Sequence, residues 1–94
     1  MSVARITTMN LKSKEDADRI EETYKTNAPT EFSEAEQLLE VRVDDNTLMF
    51  VSLYSDDAAM ERASASRSKR MDLNKDVIEK VDGKTGNVIL NHKN

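Results

Sequence analysis

The segment Leu48-Met49-Phe50-Val51-Ser52-Leu53-Tyr54 constrains this chain most, because it is almost wholly apolar in a sequence that is 34% charged. Its length and bulky side chains read as a strand. Successive strand side chains point to opposite faces of a sheet. Leu48, Phe50 and Tyr54 then lie on one face and Met49, Val51 and Leu53 on the other, so this strand needs cover on both sides.

The neighbouring segments supply a frame for it. Val3 to Met9 is rich in β-branched residues and reads as a first strand. Ser13 followed by Asp16 is a capping-box-like helix start, with Glu15 and Asp16 placed favourably against the helix dipole. Ala17, Ile20, Tyr24 and Ala28 continue as one apolar stripe at helical spacing, and Asn27 and Pro29 are expected to end that helix. Leu38 to Val43 reads as a second strand, joined to the third by the turn Asp44-Asp45-Asn46. It alternates, with Leu39, Val41 and Val43 on one face and Leu38, Glu40 and Arg42 on the other, as expected of an edge strand with one wet face.

Ser55 is placed to cap a second helix, with Asp56 and Asp57 in its first turn and Ala59, Met60 and Ala63 as its stripe. The stripe weakens at Ser64, Ser66 and Ser68. It resumes at Met71, Asn74, Val77, Ile78 and Val81 as a second helical piece. Asp82-Gly83 then reads as a turn into a last strand, Asn87 to Asn91. The predicted class is α+β, a ferredoxin-like β-α-β-β-α-β order with a four-stranded antiparallel sheet and helices on one face.

With 94 residues the chain fits one domain, residues 1–94. A domain this short has a thin core, and Tyr24, Phe32, Phe50 and Tyr54 are its only aromatics. It has no cysteine, which excludes disulfides, thiolate catalysis and cysteine-ligated metals and suits a reducing compartment. Arg5 interrupts the apolar N-terminal stretch, so neither a signal peptide nor a membrane span is expected, and a cytoplasmic location is the default. The net charge of −4 argues against a nucleic-acid partner.

Two helices cover only one face of such a sheet, and an apolar face of this size rarely stays open on a monomer. A homodimer whose sheets pack face to face is the simplest cover.

The segment Leu48 to Met60 resembles the strand-three-to-helix junction of antibiotic biosynthesis monooxygenase-type dimeric α+β barrels. In those proteins the strand commonly ends in Trp, followed by a short acidic segment and an Ala-rich helix start; Tyr54 stands at the Trp position, before Ser55-Asp56-Asp57 and Ala58-Ala59. The resemblance implies a dimeric α+β barrel with a pocket between sheet and helices. It also implies either cofactor-free oxidation of a small aromatic or quinol-like molecule or, as the alternative, a non-catalytic ligand-binding or regulatory module. The haem-degrading branch of the family uses an Asn near the end of strand one, an aromatic after strand three and a His on the second helical segment. Asn10 and Tyr54 stand near the first two places, but no His occurs from Arg62 to Ile78, so haem is not expected; the resemblance to cofactor-free oxygenases implies no metal or flavin, and no cofactor is expected.

The candidate pocket-lining residues are Arg5, Asn10, Tyr24 and Tyr54, with no metal ligands among them. Arg5 lies mid-strand on a central strand, where it should either pair with a carboxylate or line a polar pocket. Tyr24 and Tyr54 could donate to a ligand or serve as core aromatics, and Asn10 could equally be a strand-end turn residue. Arg62, Arg67, Lys69, Arg70 and Lys75 form a basic cluster. It could meet an anionic ligand or a partner's Glu31 to Glu40, or be a solvated helix face. His92 reads as an exposed tail residue rather than a catalytic base. The strand order also matches an RNA-recognition motif, but Asn46, Thr47 and Leu48 stand where its basic and glycine positions should be.

Overall fold

Where the polar and apolar residues alternate, the observed elements follow the pattern. The computed structural model describes residues 1–94, in the order β1 (Val3–Leu11), α1 (Lys14–Glu31), β2 (Gln37–Arg42), β3 (Thr47–Tyr54), α2 (Asp57–Leu73) and β4 (Ile78–Asn87). The sheet order is β2-β3-β1-β4, with every neighbouring pair antiparallel. Strands one and three are therefore central, and the class is the ferredoxin-like α+β arrangement read from the sequence. No helix is long and apolar enough to cross a membrane.

Ser13 caps α1 by accepting the Asp16 backbone N–H at 3.1 Å, while its hydroxyl donates to the Asp16 carboxylate at 2.9 Å. The helix does not stop before Pro29 but includes it, closing with the Phe32 N–H on the Ala28 carbonyl at 2.8 Å. Pro29 lies in the last turn, and both it and Lys25, whose carbonyl it leaves without an intrahelical donor, are exposed to water. At α2 the cap is Asp56 rather than Ser55, its carboxylate accepting the Ala59 N–H at 2.8 Å. A carboxylate here satisfies the orphan N–H and also opposes the positive end of the helix dipole.

The larger departure follows α2. The helix ends at Leu73 with Asn74 as its C-cap, so no helical piece extends to Val81. Ile78 to Asn87 is instead the fourth strand, paired with β1 along its whole length, and residues 88–94 are irregular. Asp82-Gly83 is thus mid-strand and not a turn. The spacing of Val77, Ile78 and Val81 imitates a helix, but pairing with the exposed edge of β1 satisfies a full row of backbone groups. Gly83 passes close to α2: a Cβ there would lie 2.9 Å from the Arg67 guanidinium, which would have to shift.

Fourteen buried apolar residues form the core on the helix side. Val3, Met9 and Leu11 of β1 and Leu48, Phe50 and Tyr54 of β3 meet the stripes Ala17, Ile20, Tyr24, Ala28 and Ala59, Met60, Ala63. The other sheet face has no cover within the chain. Ile6, Leu39 and Val41 are 45%, 47% and 50% exposed, beside the half-buried Met49, Val51 and Leu53. The wet side of β2 is therefore its apolar side. Its polar side turns inward, where Arg42 bridges to Glu21 at 2.9 Å and Asp18 at 3.0 Å on α1.

Leu48 is wholly buried at the centre of the helix-side core. Leu48→Ala should cost about 2–5 kcal/mol of unfolding free energy, read as a lower urea midpoint with the slope unchanged.

Candidate functional site

Three of the four residues singled out in the sequence converge on one cavity between the sheet and the helices. Arg5 projects from β1, Tyr24 from α1 and Tyr54 from the end of β3. Odd-numbered residues of β1 and even-numbered residues of β3 face the helices, which puts Arg5, Thr7 and Met9 beside Phe50, Ser52 and Tyr54. The cavity measures about 40 Å³. Asn10 is not part of it. It has the opposite parity on β1, and its side-chain amide donates to the Thr47 hydroxyl at 2.9 Å on the far face of the sheet. Its role is the structural one of tying two strand ends together.

One wall is aromatic. The Tyr24 ring lies 4.6 Å from Phe50 and 6.3 Å from Phe32, centroid to centroid, with tilted planes. Burial pushes the Tyr24 hydroxyl up from its ordinary value, against a smaller opposing pull from Ser52. Tyr54 is 1% exposed. The opposite wall comes from α2, through Arg67, Arg70, Met71 and Asn74.

The basic cluster on α2 divides into separate roles. Arg62 forms a two-pronged pair with Glu34, its Nη2 at 2.6 Å from Oε1. Arg70 pairs with Glu31 at 2.7 Å and lies 5.3 Å above the Tyr24 ring, a cation–π geometry. The acidic segment after α1 is thus met within the same chain. Lys69 and Lys75 stay in solvent. Arg67 turns inward without a carboxylate partner, its Nη2 reaching the Thr7 hydroxyl at 3.4 Å. Burial, then the nearby charge of Arg5, lowers its proton affinity from the usual arginine range.

Arg70 lines the cavity although the sequence placed it only in the basic cluster, and so does Arg67. Arg67 stands four residues after Ala63 and four before Met71, so helical periodicity puts it on the inward stripe. No Asp, Glu or His lines the cavity. His92 lies in the exposed tail. The chain holds no cluster of three or more His, Asp or Glu side chains suited to a metal.

Glu40 occupies the same layer outside the cavity, on the inward side of β2 opposite Phe50. Both its carboxylate oxygens are inaccessible and lack a hydrogen-bond partner. Burial first, then the Glu21 charge, pushes its pKa up to about 7; Glu22 adds to this, while Lys25 and Arg70 oppose it. A raised carboxylate pKa means that the folded state holds this proton more tightly than the unfolded chain does. Glu40 therefore favours folding at low pH, and that contribution is lost as pH rises from about 4.5 to about 7. Glu40→Gln should stabilise the protein at pH 8, on the order of 1 kcal/mol once solvent screening of this partly open site is allowed for, and should show little gain at pH 4. Thermal melts at the two pH values check the sign.

No protein-family model matches the chain, and no curated protein is detectably similar to it in sequence. Its fold is shared with several solved structures. A dimeric ferredoxin-like protein from an uncultured marine organism superposes with a TM-score of 0.80 at 10% identity, over 99% of this chain and 92% of that one. A candidate antibiotic biosynthesis monooxygenase from Chloroflexus aurantiacus gives 0.77 at 7% identity, over 99% and 98%. Another from Nitrosomonas europaea gives 0.74 at 13% identity, over 94% and 90%. The likeness to monooxygenase-type proteins read from Leu48 to Met60 is thus matched in three dimensions, as a likeness of fold.

Proposed function

We propose that this chain acts as a homodimer that takes a small aromatic molecule of the phenol or quinol class into the cavity of Tyr24 and Tyr54 and oxidises it with molecular oxygen, without a cofactor. The observation that carries the proposal is the cavity itself. It has an aromatic wall for the ring and tyrosine hydroxyls to orient its oxygen, on a fold shared with candidate monooxygenases. A space of about 40 Å³ is well below the roughly 150 Å³ that accommodates benzene in an engineered core. A single ring therefore enters as the long side chains Arg67, Arg70 and Met71 swing aside, and a polycycle would require α2 itself to move.

In this chemistry the ionised ring passes one electron to O₂, and the ring radical and superoxide combine in a new C–O bond. The resulting peroxide takes up a proton. Cleavage of its O–O bond with loss of the ring C–H proton leaves a carbonyl. One oxygen atom stays on the ring, and the other departs as water with the phenol O–H and ring C–H protons. The protein's part is to orient the ring, hold the anion and keep bulk water away.

The open face of Ile6, Leu39, Val41 and Val51 favours the dimer, as do solved neighbours described as dimeric. Val88 and Leu90 of the tail border the same face beside Ala4 and Leu53, extending the apolar surface that a second copy would cover. A cytoplasmic setting belongs to the same proposal. A second reading, a ligand-binding module without turnover, is favoured by the lack of a carboxylate or imidazole in the cavity to accept a proton.

Oxygen uptake with hydroquinone as substrate separates the readings. The oxidative one predicts one hydroxyquinone formed per O₂ consumed, and a loss of about a hundredfold in rate for Tyr54→Phe. Binding of hydroquinone without protein-dependent uptake would leave the binding module. Light scattering at micromolar concentration should give twice the chain mass, and Val51→Glu should give a monomer.

A further inference from the structure

The arginines of this chain fall into two groups. Arg19, Arg42, Arg62 and Arg70 each pair with a carboxylate. Arg5 and Arg67 form no ion pair, and both line the cavity. The chain is acidic, with 18 carboxylate side chains against 14 basic ones, so carboxylates are not scarce. None faces this space. The nearest neutral help is weak: Arg67 has only the long contact to Thr7 at 3.4 Å. Gly83 lies alongside it, and a Cβ at that position would stand 2.9 Å from its terminal nitrogen.

We infer that the Arg5–Arg67 pair is an anion site, and that the cavity selects a one-ring aromatic carrying an anionic oxygen group, a carboxylate or an ionised phenol. This rests on the cavity being the ligand site, and it adds the charge of the ligand, which the aromatic wall alone does not determine. Burial and the like charge of Arg5 both act against the charge of Arg67 in this small space. A ligand anion between them relieves both costs. Guanidinium groups supply planar, charge-assisted donors suited to oxyanions, and here they approach from two different elements, β1 and α2. The apolar body of the ligand then lies against Tyr24, Phe32 and Phe50.

The test compares anions with neutral molecules of the same shape. Benzoate and benzamide are titrated into the full-length protein, as are 4-nitrophenolate and nitrobenzene. Binding is read from the ring resonances of Tyr24 and Tyr54. At least one anion should bind about tenfold or more tightly than its neutral counterpart. Preference for benzoate alone identifies a carboxylate ligand, and preference for 4-nitrophenolate alone an ionised phenol. Arg67→Gln should abolish the preference and Arg67→Lys should retain part of it, with circular dichroism showing both folded. Equal binding of anion and neutral molecule at the tyrosines would overturn the anion site while leaving an aromatic-binding cavity. No perturbation of either tyrosine by any of the four would overturn the cavity reading and the anion site together. The comparison on the unmodified protein stands even if a variant fails to fold.

Discussion

The pairing of β1 with β3 is the contact on which the rest of the molecule depends. These are the two central strands, and each carries apolar side chains toward both layers. On the helix side, Leu11, Leu48 and Tyr54 are almost fully enclosed and set the depth to which both helices can approach. On the other side, Ile6 and Val51 are direct partners in the ladder and stay uncovered within one chain. A register slip of one residue would exchange the two sets and put Arg5 on the open face. The same register brings Arg5 beside Ser52 and Val3 beside Tyr54, so the cavity is a product of strand pairing before either helix contributes.

The helices finish the cavity in different ways. α1 delivers bulk: Ile20 and Tyr24 fill space, and Phe32 follows at its end. α2 delivers small residues near its start, where Ala59 and Ala63 permit close approach, and long polar ones near its end. The wall formed by Arg67, Arg70 and Met71 can therefore rearrange by changes of side-chain rotamer, while the β1 and β3 wall is held by the ladder.

Much of this was readable in the residues, and the parts that were not have identifiable physical causes. Ser13 with Asp16 marked the start of α1, and the run Leu48 to Tyr54 marked a strand apolar on both faces. Arg5 posed a choice between an ion pair and a polar cavity; it forms no ion pair and borders the cavity. β4 was obscured because Val77, Ile78 and Val81 mimic helical spacing and Asp82-Gly83 mimics a turn. Its strand character comes from β1 and from exposure rather than from an alternating pattern of its own, since its residues after Ile78 are all exposed. Asn10 could have been excluded by counting in twos from Arg5. Arg67 was hidden by its company, one arginine among five basic residues of which two pair with carboxylates and two lysines stay in solvent. Glu40 was legible as an inward position only once Leu39 and Val41 were known to be on the open face.

The facing of Arg5 and Arg67 has a mechanical consequence. One charge is fixed to a central strand and the other to a helix that rests on the sheet largely through alanines and a methionine. Their repulsion acts across the seam between sheet and helix. An anion seated between them turns that outward push into a clasp. On the anion site inferred above, the charge of the guest rather than a moving loop would act as the latch.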